Sequence, residues 1–462
     1  MATELKVQGN KALSEGKYSH ALELYSKAIE IDGTNCILYA NRAQAAIKLE
    51  EYGTALADSS KAIELDPTYL KSYYRRAIAY CGIFDYKNAL ADYQIVVKRA
   101  PNDAAAKLKL DACRKFLRQQ QFHKAIEIED EPSVIDGLDI DSMQDDDGLP
   151  AIDSPEFVSE MVEKFKQNGR VSRKKLYQLI KAANDIFKTE PTMNEIPIDT
   201  KVTVCGDTHG QFYDFLNIFE LNGWPSTSHT YLFNGDFVDR GPWSTEIALT
   251  LYALKIKFPT NVYVNRGNHE TDSMNMTYGF SGECKAKYSS ETAFKAFSES
   301  FSSLPLATLI QNSYFVVHGG LFSKDGVTLD DIRKVDRFAT KQPADKGLMM
   351  EMLWTDPQPQ NGRGMSKRGI GMQFGPDITK AFCDLNGLKA VIRSHEVRDE
   401  GYSVEHDGRL ITVFSAPNYC DSQGNKAAMI NIEEDLELKY LQYDTVGHPA
   451  VPTMAYAPNL MR

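Results

Sequence analysis

The sequence predicts a multidomain protein in which an all-α solenoid of helical repeats precedes an α/β domain. The first observation behind this prediction is a 34-residue spacing of small side chains near the amino terminus, at Ala21, Ala55 and Ala89. The second is a series of apolar, β-rich runs farther along the chain, each followed by a short polar motif. A helical period followed by strands of this kind indicates separate folding units.

The repeats occupy the first quarter of the chain. Gly33, Pro67 and Pro101 close successive units, so we place three repeats at about 2–35, 36–69 and 70–103 and a capping helix up to residue 125. This is the tetratricopeptide period, in which each unit is a pair of helices and three units are the fewest that bury a continuous core. Residues 1–125 are therefore predicted to form one repeat domain.

A strongly acidic stretch follows the repeats. Between Glu127 and Asp147 there are acidic side chains and no Lys or Arg, in a chain whose formal net charge is −11. Such composition is typical of a solvated, extended tether. We therefore expect residues 126–153 to form an acidic linker, residues 154–450 to form the second domain, and residues 451–462 to form a tail.

Three motifs in the second domain place metal-binding side chains directly after strand-like runs. They are Gly206-Asp207-Thr208-His209-Gly210, Gly235-Asp236-Phe237-Val238-Asp239-Arg240-Gly241 and Arg266-Gly267-Asn268-His269-Glu270. Two later histidines, His318 and His395, follow similar apolar runs, so four of the nine histidines fall at predicted strand ends. Open α/β sheets bind ligands at the carboxyl ends of their strands, which predicts one shared site.

These motifs, with the later run Ser415-Ala416-Pro417-Asn418-Tyr419-Cys420, resemble the phosphoprotein phosphatase family of serine/threonine phosphatases over about residues 154–450. The resemblance implies that the α/β domain is a central β-sandwich flanked by helices and that each chain holds two divalent metal ions. Asp207, His209 and Asp236 would hold the first ion. The ligands implied for the second ion are Asp236, Asn268, His318 and His395. Mixed oxygen and imidazole ligands suit manganese, iron or zinc, and magnesium less well.

The resemblance also implies the reaction, which is hydrolysis of phosphoserine and phosphothreonine by a hydroxide activated between the two metal ions. His269 matches the acid that protonates the leaving oxygen, and Asp239 matches the partner that orients it. Arginine suits phosphate because its planar guanidinium donates two hydrogen bonds at once. The positions that match substrate-binding residues are Arg240, Asn268, Arg368 and Tyr419; the two arginines are the phosphate ligands among them.

The repeats carry a second set of polar residues. Their positions match the carboxylate clamp of tetratricopeptide domains that hold the acidic carboxyl terminus of cytosolic chaperones of the heat-shock protein 90 class, and the matching residues are Lys6, Asn10, Asn41, Lys71 and Arg75. Residues four apart on a helix lie on one face, so Lys6 with Asn10, and Lys71 with Arg75, are expected to point the same way. The sequence thus predicts a groove for an acidic peptide.

A linker of about 25 residues would keep the repeat domain at high effective concentration near a cleft that attracts anions, so we expect the full chain to be self-inhibited. The resemblance assigns this role to the repeat domain, with the tail around Ala455 to Arg462 helping to hold the closed state. Acidic residues at inter-helix turns, Glu50 and Glu51 among them, are candidates for occluding a cleft that attracts anions. A chaperone peptide would then activate the enzyme by favouring the open form.

Composition narrows the remaining classes. The first residues show no signal region, and no apolar run reaches the length of a membrane span. No basic cluster suggests a nucleic-acid surface, and seven cysteines without a Cys-x-x-Cys pair indicate a reducing compartment. We expect a monomer in the cytoplasm, with the nucleus as a second location. Two alternatives stay open: a phosphoesterase for small molecules such as dinucleoside polyphosphates, and a catalytically inactive repeat scaffold.

Overall fold

The computed structural model describes residues 1–126, 132–339 and 341–458. The chain divides into two compact units. The first comprises Met1–Glu131 with the segments Met365–Met372 and Pro458–Arg462, and the second comprises Pro132–Gly364 and Gln373–Ala457. The start of the predicted tether, residues 127–131, and the end of the predicted tail, residues 459–462, lie outside the described residues.

Consecutive helices pair along the first unit, as the repeat period predicts. The helices are α1 (Ala2–Ser14), α2 (Tyr18–Ile31), α3 (Cys36–Lys48), α4 (Tyr52–Leu65), α5 (Leu70–Gly82), α6 (Tyr86–Arg99) and α7 (Ala104–Ile126). Ala21, Ala55 and Ala89 are fully buried where helices touch. The prediction of an all-α repeat solenoid is confirmed.

An ion pair recurs at the repeat period inside this unit. Arg42 donates two hydrogen bonds of 2.7 Å to the carboxylate of Asp58, and Arg76 donates bonds of 2.8 and 2.9 Å to Asp92. Both carboxylates are buried. A buried charge is tolerated only when it is paired and hydrogen-bonded, so these pairs tie the two helices of a repeat in one register.

The second unit begins with helices and continues as alternating strands and helices. Its helices are α8 (Phe157–Lys166), α9 (Arg173–Thr189), α10 (Phe212–Asn222), α11 (Ser244–Lys257), α12 (Asp272–Tyr278), α13 (Phe280–Tyr288), α14 (Glu291–Ser302), α15 (Leu329–Arg333), α16 (Leu348–Trp354) and α17 (Pro376–Asn386). No helix in the described parts of the chain is long and apolar enough to cross a membrane.

The strands form two large sheets and one small one. They are β1 (Met193–Ile196), β2 (Lys201–Cys205), β3 (His229–Phe233), β4 (Val262–Val264), β5 (Ala307–Ile310), β6 (Tyr314–Val317), β7 (Asp356–Pro357), β8 (Arg363–Met365), β9 (Met372–Phe374), β10 (Ala390–Arg393), β11 (Tyr402–Glu405), β12 (Leu410–Val413), β13 (Ala427–Ile432) and β14 (Leu438–Tyr443). The strand orders are β1-β5-β6-β10-β12-β11, β14-β13-β2-β3-β4 and β7-β9-β8.

The two large sheets pack face to face. Val204 of β2 and Ile430 of β13 lie in one buried cluster with Val316 of β6 and Ile392 of β10. The other face of the five-stranded sheet is covered by helices, which share a second cluster with its buried aromatic residues. The predicted β-sandwich flanked by helices is therefore confirmed. Strands β2, β3 and β4 are parallel, so their carboxyl ends lie at one edge.

The acidic linker is not a solvated tether over residues 133–147, which we call the strap. Ile135 is 2% exposed, and Glu299 accepts a 2.8 Å hydrogen bond from the amide of Val134.

Nζ of Lys175, a residue 2% exposed, lies 2.5 Å from Oδ1 of Asp145 and 2.7 Å from Oδ1 of Asp147. A buried ammonium needs such partners, so the buried carboxylate of Asp147 and the 40% exposed carboxylate of Asp145 neutralise Lys175. The expectation of a tether was wrong for the strap because charge was counted without the apolar residues between the charges.

Candidate active site

The predicted metal ligands all follow strands of the two large sheets. Asp207 follows β2, Asp236 follows β3, Asn268 follows β4, His318 follows β6 and His395 follows β10. Each of these side chains is buried. The amide of His395 donates to Oδ1 of Asp207 across the two sheets at 3.2 Å. The fold therefore brings the predicted ligands together at one edge.

Asp236 lies at the middle of this cluster. Potential ligand atoms within 4.8 Å of one another form two groups, one of His209, Asp236 and His269 and one of Asp236, His318 and His395. Oδ2 of Asp236 is 3.6 Å from Nε2 of His209 and 3.3 Å from Nε2 of His318. A carboxylate common to both groups is the arrangement that a bridging ligand between two cations requires.

Asp207 and His318 show the electrostatic cost of this burial. Burial raises the pKa of Asp207 to about 7 and lowers the pKa of His318. Within the described residues, Oδ2 of Asp207 is buried and receives no hydrogen bond. A cation beside these groups would stabilise the carboxylate and the neutral imidazole together, so they fit the implied metal ions.

Asn268 faces the same point. Its inward amide atom lies 2.9 Å from Nε2 of His318 and 3.0 Å from both Nδ1 of His395 and Oδ2 of Asp236. With oxygen in this place, electron-rich atoms converge from four side chains, which suits a bound cation. With nitrogen there, the amide donates to its neighbours, which suits a site without a cation.

Several site residues have a left-handed backbone. They are His209 (φ 41), Asp236 (φ 49), Asp239 (φ 70), Arg240 (φ 70) and His395 (φ 72). Non-glycine residues pay about 1–3 kcal/mol for such conformations, which persist where the surroundings hold them. The carbonyl of Asp236 accepts hydrogen bonds from the amides of Thr208 and His209, so two ligand loops brace each other.

His269 and Asp239 form the predicted pair. Nδ1 of His269 lies 2.8 Å from Oδ2 of Asp239, which is fully buried. Burial raises the pKa of Asp239 to about 8, and two donors oppose this, the amide of Phe280 at 2.8 Å and Nδ2 of Asn275 at 2.9 Å. The pair is thus held in one orientation from both sides. The role of His269 as an acid stays a prediction.

Glu270 is a site residue to which the sequence analysis assigns no role. Its carboxylate accepts hydrogen bonds from the amides of Asp236 at 2.8 Å, Phe237 at 3.0 Å and Gly267 at 2.8 Å. It therefore joins the loop after β3 to the loop after β4. Its place within the third motif was visible in the sequence, but its partners were not.

The predicted substrate-binding residues fall in different places. Arg240 and Tyr419 are buried, and the Tyr419 ring centroid is 5.2 Å from that of His209, which places the tyrosine beside the metal cluster. Arg368 lies in the segment Met365–Met372, which belongs to the first unit. Its role as a phosphate ligand stays a prediction.

The clamp residues of the first unit form a hydrogen-bonded chain. Oδ1 of Asn10 accepts from the Tyr25 hydroxyl at 2.7 Å and from Nδ2 of Asn41 at 3.0 Å. Arg75 donates to Oδ1 of Asn41 and to Oε1 of Gln44, both at 3.2 Å. Burial lowers the pKa of Arg75 and raises that of Tyr25 to about 12. Tyr25 and Gln44 were not predicted members of this chain.

Lys6 and Lys71 complete the predicted clamp. Each lies on the same helix as its predicted partner and four residues before it, Lys6 before Asn10 on α1 and Lys71 before Arg75 on α5. Lys71 is exposed and Lys6 is half-buried. The structure thus joins Asn10, Asn41 and Arg75 directly, while the two lysines are assigned by their helical positions.

The chain matches three family models. Residues 200–399 match the calcineurin-like phosphoesterase model, residues 110–195 match the PPP5 TPR repeat region, and residues 38–69 match a tetratricopeptide repeat. The first match contains all the predicted metal ligands. The three matched regions fall in both units of the chain.

Known proteins resemble the chain over nearly all of its length. Serine/threonine-protein phosphatase T of Aspergillus oryzae is 58% identical over 465 residues, which cover 99% of this chain and 97% of that protein. Serine/threonine-protein phosphatase 5 of Homo sapiens is 49% identical over 100% of this chain and 94% of that protein. A solved protein serine/threonine phosphatase from Saccharomyces cerevisiae, described as similar to human phosphatase PP5, is 50% identical with a TM-score of 0.63. The match covers 66% of the present chain and 100% of the solved yeast chain.

Proposed function

The chain belongs to the family of serine/threonine-protein phosphatases 5 and T, and from this premise we propose how its residues hydrolyse phosphoserine and phosphothreonine. The observation that carries the proposal is the carboxylate of Asp236, which two groups of ligands share beside the His269–Asp239 pair. Two divalent cations, when bound, supply water activation and charge neutralisation for phosphate-ester hydrolysis. Manganese, iron and zinc suit these oxygen and imidazole donors.

The remaining steps belong to side chains. Arg240 and Arg368 grip the phosphate oxygens and fix phosphorus for in-line attack. His269 donates a proton to the departing serine or threonine oxygen, which is too basic to leave as an alkoxide. Asp239 holds the imidazole in the orientation needed for that transfer, and Tyr419 lines the cleft.

Substrate class is tested by a direct comparison. With manganese added, the full chain should hydrolyse a phosphoserine peptide in preference to a dinucleoside polyphosphate. Preference for the dinucleotide would favour the small-molecule alternative, and no hydrolysis of either compound would favour a scaffold. Metal analysis of the protein as isolated from its own cells would identify the native ions.

We propose that the first unit binds the acidic carboxyl terminus of a chaperone of the heat-shock protein 90 class. Support comes from the hydrogen-bonded chain that joins Asn10, Asn41 and Arg75, and from Lys6 and Lys71, which precede Asn10 and Arg75 by four residues on the same helices. The described cysteines are all free, which suits a reducing compartment and supports the cytoplasm, with the nucleus as a second location. A fractionation experiment with the tagged chain tests the location.

Replacing Arg75 by Ala is expected to weaken binding of a peptide ending in Glu-Glu-Val-Asp. The binding free energy should fall by more than about 1.5 kcal/mol, because a charge-assisted hydrogen bond to the peptide carboxylate is lost. Calorimetric titration measures this change. Lys61→Ala is a matched control, since Lys61 is an exposed cation paired with Glu64 on α4 and lies outside the predicted clamp. Unchanged affinity of the Arg75→Ala variant would exclude the clamp.

We also propose that the enzyme is self-inhibited. Within the first unit, the amides of Gly53 and Thr54 at the start of α4 donate to the carbonyl of Lys367 at 2.8 and 3.2 Å. Glu51, one of the acidic turn residues singled out in the sequence, lies 3.7 Å from Nζ of Lys367. Lys367 directly precedes Arg368, so contacts that hold this segment restrain a predicted phosphate ligand.

The tail supports the same proposal in the second unit. The amide of Met454 donates to the carbonyl of Arg240 at 2.6 Å, and Ala457 is 4% exposed. The tail thus contacts the loop that carries the other predicted phosphate ligand. A chaperone peptide activates such an enzyme only if it binds the open form more tightly than the closed form.

Gly53→Ala is expected to raise the basal turnover of the full chain about 5-fold or more. The added Cβ would lie 2.6 Å from the carbonyl oxygen of Ser366 and 2.8 Å from the amide of Gly369, so the segment must move. Alanine is a better helix former than glycine, so α4 itself should not be weakened by the substitution. Turnover of a phosphopeptide measures the effect.

Gly33→Ala is the control, because its added Cβ would meet no atom closer than 3.5 Å. A shortened chain beginning at Pro132 sets the upper limit of activity and retains the strap, which neutralises Lys175. If residues 1–462 and 132–462 turn over the peptide equally, with no response to the acidic peptide, the repeats do not inhibit the enzyme.

A further inference from the structure

Tyr278 lies directly beneath the guanidinium of Arg240. The distance from Cζ of Arg240 to the centroid of the Tyr278 ring is 3.8 Å. This is the shortest cation–π distance among the described residues. Tyr278 is 1% exposed and Arg240 is 7% exposed. A cation over an aromatic face is attracted by the ring quadrupole, and the attraction grows when water is excluded.

The backbone fixes the ring relative to the arginine. The carbonyl of Tyr278 accepts a 3.2 Å hydrogen bond from the amide of Arg240. Two residues later, the amide of Phe280 donates to Oδ1 of Asp239 at 2.8 Å. The backbone is thereby tied at Tyr278 and again at Phe280 to the loop that carries Arg240, and the buried ring is held against that loop.

We propose that Tyr278 is a positioning residue that holds Arg240 in the orientation that grips phosphate. An arginine side chain loses rotamer freedom when it is held in one orientation, and a site holding two cations repels its charge. The ring opposes both effects because it restricts the guanidinium and stabilises its charge away from water. This inference rests on the proposed function of Arg240 as a phosphate ligand.

The test compares Tyr278→Leu with Tyr278→Phe in the full chain. Leucine keeps an apolar side chain without a π face, and it should raise the inhibition constant of inorganic phosphate and the KM for a phosphopeptide by about 5- to 30-fold. Phenylalanine keeps the ring and should stay within about 2-fold of the parent chain. A folding defect alone would reduce the active fraction and leave both constants unchanged.

The double variant with Arg240→Ala separates the inference from the function on which it rests. If Tyr278 acts through Arg240, Tyr278→Leu has no further effect on phosphate inhibition in the Arg240→Ala background. Full additivity, or equal losses for Leu and Phe, would overturn the positioning role. Phosphate inhibition that Arg240→Ala leaves unchanged would instead overturn the role of Arg240 itself.

Discussion

Asp236→Asn is expected to release bound metal and to lower phosphopeptide turnover by more than about 10³-fold, because metal ions supply several kcal/mol of transition-state stabilisation and each 1.36 kcal/mol is tenfold in rate. Asp236 is the member that both groups of potential ligands share, with His209 at 3.6 Å and His318 at 3.3 Å from its Oδ2. The amide that replaces the carboxylate has no charge and one acceptor oxygen, so it cannot serve two cations equally. Mass-spectrometric metal analysis and turnover of one phosphopeptide measure the two effects.

Asp214→Asn is the matched control for this prediction. Asp214 is another buried carboxylate of the second unit, 2% exposed, and its Oδ1 accepts hydrogen bonds from Thr445 and from the amide of Val446. It lies outside both groups of potential ligands, so its variant should keep its metal even if stability falls. Two retained metal ions in Asp236→Asn would show that this carboxylate does not bridge them.

The ligand positions were predictable because the chain itself determines them. Asp207, Asp236 and Asn268 each follow a strand of one parallel set, and the carboxyl ends of parallel strands meet at one edge. The repeat unit was predictable for a similar reason, since a fixed period places Arg42 and Arg76 in equivalent surroundings. In both cases, local spacing determines position in space.

The residues that support the site depend on contacts between distant loops. The amide of Phe280 donates to the carboxylate of Asp239, a residue 41 positions away in the chain. Asn275 of α12 donates to the same carboxylate through its side-chain amide. The carboxylate of Glu270 accepts hydrogen bonds from backbone amides of a loop more than 30 residues earlier in the chain. No periodicity in a single sequence reports such pairings, so Glu270, Asn275 and Tyr278 could be assigned only from distances.

The strap was misjudged for a different reason. The segment was expected to extend into solvent because no basic residue lies among its acidic residues. Lys175 nevertheless forms ion pairs with two of these acids from a helix about 30 residues away in the chain. Charge within a segment does not determine its exposure when a buried counter-charge lies elsewhere. The apolar residues Ile135, Leu138 and Ile140, which pack with the core of the second unit, were the missed signal.

His269→Asn is expected to lower turnover of a phosphoserine peptide by about 10² to 10⁴-fold while reducing hydrolysis of an activated aryl phosphate much less. The serine oxygen needs a proton as it leaves, whereas an aryl oxide with electron-withdrawing groups departs without one. The Asp239 carboxylate lies 2.8 Å from Nδ1 of His269, so the ring is already oriented for that transfer. Turnover of both substrates and the metal content measure the effect.

The control for this substitution is His229→Asn. His229 is also a buried imidazole, with Nε2 2.8 Å from Oγ1 of Thr203, but it begins β3 at the end opposite the predicted ligands. Its variant should hydrolyse both substrates at nearly the parent rate. In His269→Asn, equal losses on the two substrates would contradict the proton-donor role. Loss of a metal ion would instead assign His269 as a ligand, a role that its distance from His209 and Asp236 also permits.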